Sequence, residues 1–170
     1  MTTNVAIIGL GIMGTRMLTH MRLHEEFNPD YLWDPNPIAC ENAIKQDSKS
    51  LIMKSADEAI EKADLVYLAC PPTVRESYAL KVVEMGKALL LEKPFGINTE
   101  DSKNFIKKLQ NYDVPIAVNF TQAAGAPLAD VLARLETESG LPVNILASVG
   151  GMQPDRQEFT VKGSKQSRKI

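Results

Sequence analysis

Three glycines, Gly9, Gly11 and Gly14, follow directly on the apolar run Val5 to Ile8 and open a stretch of helical spacing. An apolar run ending on glycine reads as a buried strand. The G-x-G-x-x-G spacing then requires a sharp strand-to-helix turn in which each glycine has its own steric reason. Gly9 makes the tight turn, Gly11 lets a pyrophosphate approach the backbone, and Gly14 lets the helix pack against the strand. The first turn of that helix offers unpaired N–H groups and a partial positive charge to phosphate. The expected contacts of a dinucleotide are therefore Gly9, Gly11, Ile12, Met13 and Gly14.

Downstream, short apolar runs alternate with longer segments of helical spacing, the pattern of βαβ units on a parallel sheet. Strands are expected at Val5 to Gly9, Tyr31 to Asp34, Leu51 to Met53, Leu65 to Ala69, Ala88 to Leu91 and Ile116 to Asn119. Met13, Met17 and Met21 mark the buried face of the first helix. Val74, Tyr78, Val82 and Met85 line a later one, and Phe105, Ile106 and Leu109 another. A helix from Pro37 to Gln46 begins on a proline whose missing N–H costs little there. Ser55 and Glu58 form a capping box, and Asn98 or Thr99 caps the helix before the last strand.

The expected fold class is α/β, a doubly wound parallel Rossmann sheet over residues 1–120. After it the pattern changes. Residues 126–138 have the spacing of an amphipathic helix, and Val143 to Val149 and Glu158 to Val161 read as two strands joined through Gly150, Gly151 and Pro154. Residues 121–170 thus read as a truncated α+β segment, marginal as an independent domain.

Two further features bear on chemistry. Asp34 ends the second strand twenty positions after Gly14. A carboxylate there accepts hydrogen bonds from both ribose hydroxyls and repels a 2′-phosphate. The residues after it, Pro35-Asn36-Pro37, form no basic clamp, so NAD is expected over NADP. The fifth strand runs into Glu92-Lys93-Pro94-Phe95 at the carboxyl end of the sheet, where open α/β folds bind ligands. Lys93 is either a surface residue before a turn proline or a group that hydrogen-bonds a substrate oxygen and moves a proton during hydride transfer. Arg75 reads equally well as a substrate or phosphate contact and as an ordinary exposed arginine.

The segments VAIIGLGIMG, WDPNP, ACPP and LLLEKPF stand in the order and spacing of the glucose-fructose oxidoreductase, inositol dehydrogenase and rhizopine-catabolism (Gfo/Idh/MocA) family. The chain resembles that family from residue 4 to about residue 120, and E-K-P is the specific element. The resemblance implies that Lys93 is catalytic or orients substrate, and that the Lys93–Pro94 bond is often cis. It implies that Cys70, Pro71, Pro72, Glu92, Lys93 and Pro94 lie along the cofactor, with Asn119 near the substrate. The implied activity is oxidation of a sugar or cyclitol hydroxyl, or reduction of the matching carbonyl, with NAD(P), and a homo-oligomer is expected.

It also implies a second domain for substrate and oligomer contacts, of which residues 121–170 are expected to be a remnant. The helix that would supply an Asp and a His there is not found, because His20 and His24 are the only histidines. Glu158 to Lys165 resembles a strand late in that domain, so sequence between Gln122 and Leu141 is expected to be missing relative to a full-length enzyme. Whether the chain turns over is therefore open, and a non-catalytic NAD-binding or assembly protein is the alternative. GLGIMG is also similar to the β-hydroxyacid dehydrogenases, but those place a basic residue after the second strand and lack E-K-P.

A formal net charge of −2 gives no electrostatic reason to expect nucleic acid or an anionic membrane as partner. The basic run from Lys162 to Lys169 reads as a solvated strand end or tail. Cys40 and Cys70 lie far apart without a C-x-x-C, and His20 and His24 have no acidic or cysteine cluster beside them, so no metal site is expected. The amino terminus has no basic segment before its apolar run, which is too short to span a bilayer. The expected setting is a reducing cytoplasm, with a small sugar-like substrate and a second copy of the chain as partners.

Overall fold

The computed structural model describes residues 2–119, 160–162 and 167–169. In chain order the first unit, Met1–Asn119, contains β1 (Thr3–Ile8), α1 (Ile12–Arg22), β2 (Phe27–Trp33), α2 (Pro37–Gln46), β3 (Leu51–Ile52), α3 (Ala56–Lys62), β4 (Leu65–Leu68), α4 (Pro72–Glu84), β5 (Ala88–Glu92), α5 (Thr99–Leu109) and β6 (Ile116–Asn119). The six strands form one parallel sheet in the order β3-β2-β1-β4-β5-β6. This is the expected doubly wound α/β sheet. Its order reverses between β1 and β4, so a crevice opens beyond their carboxyl ends.

Successive side chains of a strand point to opposite faces, and both faces of this sheet are covered. Val5 and Ile7 of β1 join Leu32 and Tyr67 in a core closed by Leu18 and Met21 of α1 and Ala43 of α2. Ala6 and Ile8 join Val66, Leu68, Leu89 and Leu91 in a second core closed by Ile60 of α3, Val82 of α4 and Phe105 of α5.

Local chemistry sets the element ends. Asn36 accepts from the Ile38 amide at 3.0 Å, Ser55 from Glu58 at 3.1 Å and Asn98 from Asp101 at 2.9 Å, which caps α2, α3 and α5. The Ser55 capping box is only half formed, because the Glu58 carboxylate reaches one residue further back and accepts from the Lys54 amide at 3.0 Å.

Three buried faces differ from the sequence expectation. On α1 the buried line is Gly14, Leu18 and Met21, with Met13 and Met17 half-buried, because close packing at Gly14 sets the rotation of the helix. On α4 the buried residues are Arg75, Ala79, Val82 and Val83, while Val74 and Met85 are exposed. An arginine drawn inward turns that helix away from the apolar line its sequence suggests. On α5, Phe105 and Leu109 are buried but Ile106 is exposed. In β5, Ala88 and Leu90 are only half-buried, so that strand is not covered equally on its two faces.

The second strand also begins earlier than expected, at Phe27, and runs through Asn28-Pro29-Asp30. Its register against β1 shifts between Asn4 and Ala6, which pair with Asn28 and Tyr31. Such a bulge accommodates a proline that a regular ladder excludes. Arg22, at the end of α1, secures this segment. Its guanidinium donates to Asp47 at 2.8 Å, Asn28 at 2.7 Å, Asp30 at 3.1 Å, Ser50 at 3.1 Å and the Pro29 carbonyl at 3.2 Å. Burial works to raise the Asp47 carboxyl, but hydrogen bonds from Arg22, Ser50 and the Lys49 amide outweigh it and hold the group below its usual range.

In the second unit, Phe120–Ile170, β7 (Thr160–Lys162) pairs antiparallel with β8 (Ser167–Lys169). The strand expected at Glu158 to Val161 is thus described from Thr160, and β8, with which it pairs, lies within the basic run. The helix expected over 126–138 and the strand at Val143 to Val149 lie outside the described residues.

Candidate functional site at the carboxyl end of the sheet

The glycine turn sits at the crevice between β1 and β4. Gly9 has φ +97°, a conformation that favours glycine, and a Cβ there would come within 2.7 Å of the Cys70 amide nitrogen and 2.8 Å of the Ala69 carbonyl carbon. The turn after β1 and the turn after β4 therefore touch backbone to backbone. A Cβ on Gly14 would press into the Gly9 carbonyl, so α1 packs directly on the turn that precedes it. Gly11 is different, because its missing Cβ would face open space. Two of the glycines are demanded by protein packing, and the third leaves room for something else.

The helix ends agree with this division. While α2, α3 and α5 carry side-chain caps, Gly11 before α1 and Pro71 before α4 supply none, and neither helix has an acidic residue in its first turn. These are the two helices that start at the crevice. Uncapped N–H groups at the start of α1 are suited to phosphate oxygens, and Ile12 beside them is 86% exposed. The open face at Gly11 and these free donors fit a dinucleotide.

Asp34, immediately after β2, accepts from the Leu10 amide at 2.7 Å through one oxygen and from the Asn36 amide at 2.8 Å through the other. It thereby ties the glycine turn to the β2–α2 turn. Each carboxylate oxygen keeps a further lone pair for a ribose hydroxyl. Beside Asp34 an open groove of about 840 Å³ runs between α2 and β3, lined by Trp33, Ile44 and Met53 and also by Lys45 and Lys54. Those lysines are remote from Asp34 in sequence, so a search for a basic residue next to it misses them.

Glu92 ends β5 almost wholly buried, 3% exposed. Its Oε1 accepts from the Tyr67 hydroxyl at 2.6 Å and from Asn119 Nδ2 at 2.5 Å. The parallel register places Asn119 opposite Glu92, which is how the sixth strand delivers the side chain. Burial, and then the Glu92 carboxylate beside it, pushes the Tyr67 phenol well above its usual range, so it stays a neutral donor. Tyr67 looked like one more strand residue in the sequence, and its role appears only with the fold.

Lys93 follows, exposed, with a cis peptide bond to Pro94 as the family resemblance implies. Its ammonium makes no hydrogen bond or ion pair among the described residues. Its neighbours, by contrast, are held. Arg75 of α4 is 2% exposed. It donates to the carbonyls of Cys70 at 2.5 Å and Glu92 at 2.6 Å, and to the carbonyl of Pro94. Neither a substrate contact nor an exposed arginine describes this residue. It is buried between the β4–α4 and β5–α5 turns, and its Nε has no acceptor among the described residues.

Charge-assisted bonds of this kind contribute about 1.5–3 kcal/mol each, against a desolvation cost of several kcal/mol for the guanidinium. The two are of one size, so the visible product of burying Arg75 is geometry more than net stability. The Cys70 thiol, 6% exposed, is raised by burial, a tendency that nearby Arg75 only partly counters. Cys40 is likewise buried and raised by burial.

Of the residues singled out in the sequence, the crevice gathers Gly9 to Gly14, Asp34 and Cys70 to Pro72 on one side and Glu92 to Pro94 with Asn119 on the other. His20 and His24 lie exposed on or beyond α1, away from it. Among the described residues no group of three or more His, Cys, Asp or Glu is placed to hold a metal ion, and no helix is long and apolar enough to cross a membrane.

A family model described as an oxidoreductase family with an NAD-binding Rossmann fold matches residues 3–120. An uncharacterized oxidoreductase of Streptococcus pneumoniae serotype 4 is 22% identical over 110 residues, 64% of this chain and 29% of its own length. Among solved structures, GenD2 from gentamicin A biosynthesis, in complex with NAD, is 18% identical with a TM-score of 0.72 over 84% of this chain and 42% of that one. Myo-inositol dehydrogenase from Lactobacillus casei, in complex with NAD(H) and myo-inositol, is 20% identical with a TM-score of 0.72 over 81% and 42%. The matches span less than half the length of each of these relatives. The structural likeness establishes the shared fold, and the sequence match over residues 3–120 establishes that the chain belongs to the Gfo/Idh/MocA oxidoreductase family, with its NAD-binding Rossmann fold.

Proposed function

We propose that the chain binds NAD in preference to NADP and uses Lys93 to act on a hydroxyl or carbonyl of a sugar or cyclitol. The observation that carries the proposal is the convergence at one crevice of an open glycine, an uncapped helix start and an exposed lysine with no partner among the described residues. The amides of Ile12 and Met13 would hold the pyrophosphate, Asp34 the adenosine ribose, and the turn at Cys70-Pro71-Pro72 would flank the cofactor. Bound there, the nicotinamide supplies the hydride acceptor or donor.

In the reducing direction the Lys93 ammonium donates a hydrogen bond to the carbonyl oxygen and gives it a proton as the C–H bond forms, and in the oxidising direction the neutral amine takes the hydroxyl proton as the C–H bond breaks. Glu92, held by Tyr67 and Asn119, fixes the strand end from which Lys93 projects, and Asn119 borders the substrate. The negative charge of Asp34 disfavours a 2′-phosphate, whereas Lys45 and Lys54 would attract one, so the cofactors must be compared directly. Two free, buried thiols suit a reducing cytoplasm, and self-association completes the proposal.

The test titrates NADH and NADPH by fluorescence and then assays NAD reduction with a panel of polyols and aldoses that includes myo-inositol. Tighter binding of NADH is expected, together with turnover that falls at least 100-fold in Lys93→Ala while NADH affinity stays within about three-fold. Tighter NADPH binding overturns the Asp34 reading. NADH binding without turnover across the panel leaves a non-catalytic NAD-binding protein. Light scattering of the purified chain reads the oligomer.

A further inference from the structure

We propose that Arg75 is a positioning residue that fixes the backbone on both sides of Lys93 and locks it to the turn after β4. This rests on the reading above in which Lys93 works on a bound substrate. Two of the three carbonyls that accept from Arg75 belong to Glu92 and Pro94, the residues immediately before and after Lys93. The third belongs to Cys70, whose backbone amide lies against Gly9. One planar cation thus links the segment carrying the lysine to the segment against which the glycine turn packs. A guanidinium suits this task, because its donors lie in a rigid fork whereas an ammonium is a point charge on a flexible stem.

Arg75 is buried at 2% exposure and forms no ion pair among the described residues. An unpaired buried cation is a poor device for stability alone, since an apolar residue of similar volume fills the space without the desolvation cost. Its acceptors are all carbonyls of the two turns, so what it supplies is their spacing. Errors of the order of an ångström in a reacting group reduce rate steeply, and the lysine bracketed by the clamp inherits any such error.

The experiment compares the full chain with Arg75→Met, Arg75→Lys and Arg75→Ala by hydrogen exchange, NADH titration and steady-state kinetics. Circular dichroism first establishes that each variant is folded. In Arg75→Met, amide exchange in peptides covering residues 92–98 is expected to rise at least ten-fold, while peptides covering β1 and α2 stay as they are. The kcat for polyol oxidation is expected to fall at least ten-fold with KM for NAD within three-fold. Added guanidinium chloride is expected to restore part of the loss in Arg75→Ala, where sodium chloride at equal ionic strength does not.

Unchanged exchange over residues 92–98 overturns the clamp, whatever the catalytic result. Raised exchange with native kcat overturns the positioning role. If the chain shows no turnover at all, the reading of Lys93 falls, while the exchange data still decide whether Arg75 holds these turns. Should Arg75→Met fail to fold, Arg75→Lys is measured in the same way, with the same loosening expected and native exchange together with native kcat overturning the proposal.

Discussion

Two arginines sit at opposite ends of the same sheet and do different things with the same fork of donors. Arg22, at the amino end, meets the carboxylates of Asp30 and Asp47 and remains partly exposed. Arg75, at the carboxyl end, is buried and meets only carbonyls. The first neutralises acidic side chains and stitches α1 to the irregular start of β2, a contribution to stability. The second supplies order where chains turn around a crevice, at little net gain. The contrast teaches that stability and site geometry are held by separate residues, so a change at one end can be read without disturbing the other.

The largest expected effect breaks that separation. Gly14→Ala drives a Cβ into the Gly9 carbonyl, so both the fold and the glycine turn suffer, with at least about 3 kcal/mol lost in urea unfolding and NADH binding lost with it. Next comes Arg22→Ala, which strips donors from partly buried acceptors. About 2–3 kcal/mol of stability is expected to go, with NADH affinity of the folded fraction unchanged. Equal loss of affinity would erase the distinction between the two ends.

The same pair has a pH signature. Asp47 binds its proton less readily folded than unfolded, so the unfolded state takes up more protons and stability falls as pH drops from the ordinary 3.8 through the lowered folded value. Asp47→Asn is expected to flatten the urea midpoint over that range while lowering it at neutral pH. Gly11→Ala is smaller and of the opposite kind. Its Cβ enters open space, so stability is expected to stay within about 1 kcal/mol, while NADH binding weakens about ten-fold, measured by fluorescence. Smallest is Lys108→Ala, whose ion pair with Glu76 is exposed on both sides and is expected to matter by less than about 0.5 kcal/mol in urea unfolding.

The glycine turn, the sheet and the caps on α3 and α5 were legible in the sequence because each is a local matter of spacing and side-chain chemistry. The face of α4 was not, because Arg75 finds its acceptors on the turn just before its own helix and on the turn after the next strand. An arginine is assigned to solvent by default when its partners are backbone atoms, which leave no trace in residue identity. Tyr67 failed to stand out for a related reason, since only the pairing of β4, β5 and β6 brings it to Glu92 and Asn119. The early start of β2 was hidden by Pro29, whose place depends on a register shift that only the partner strand reveals.

The doubly occupied carboxylate of Asp34 has a consequence for anyone redesigning cofactor choice. Replacing it would also release the Leu10 and Asn36 amides, so a single exchange there loosens the loop as well as changing its charge. Lys45 and Lys54, which line the same groove, offer a place to change its charge without touching those two bonds.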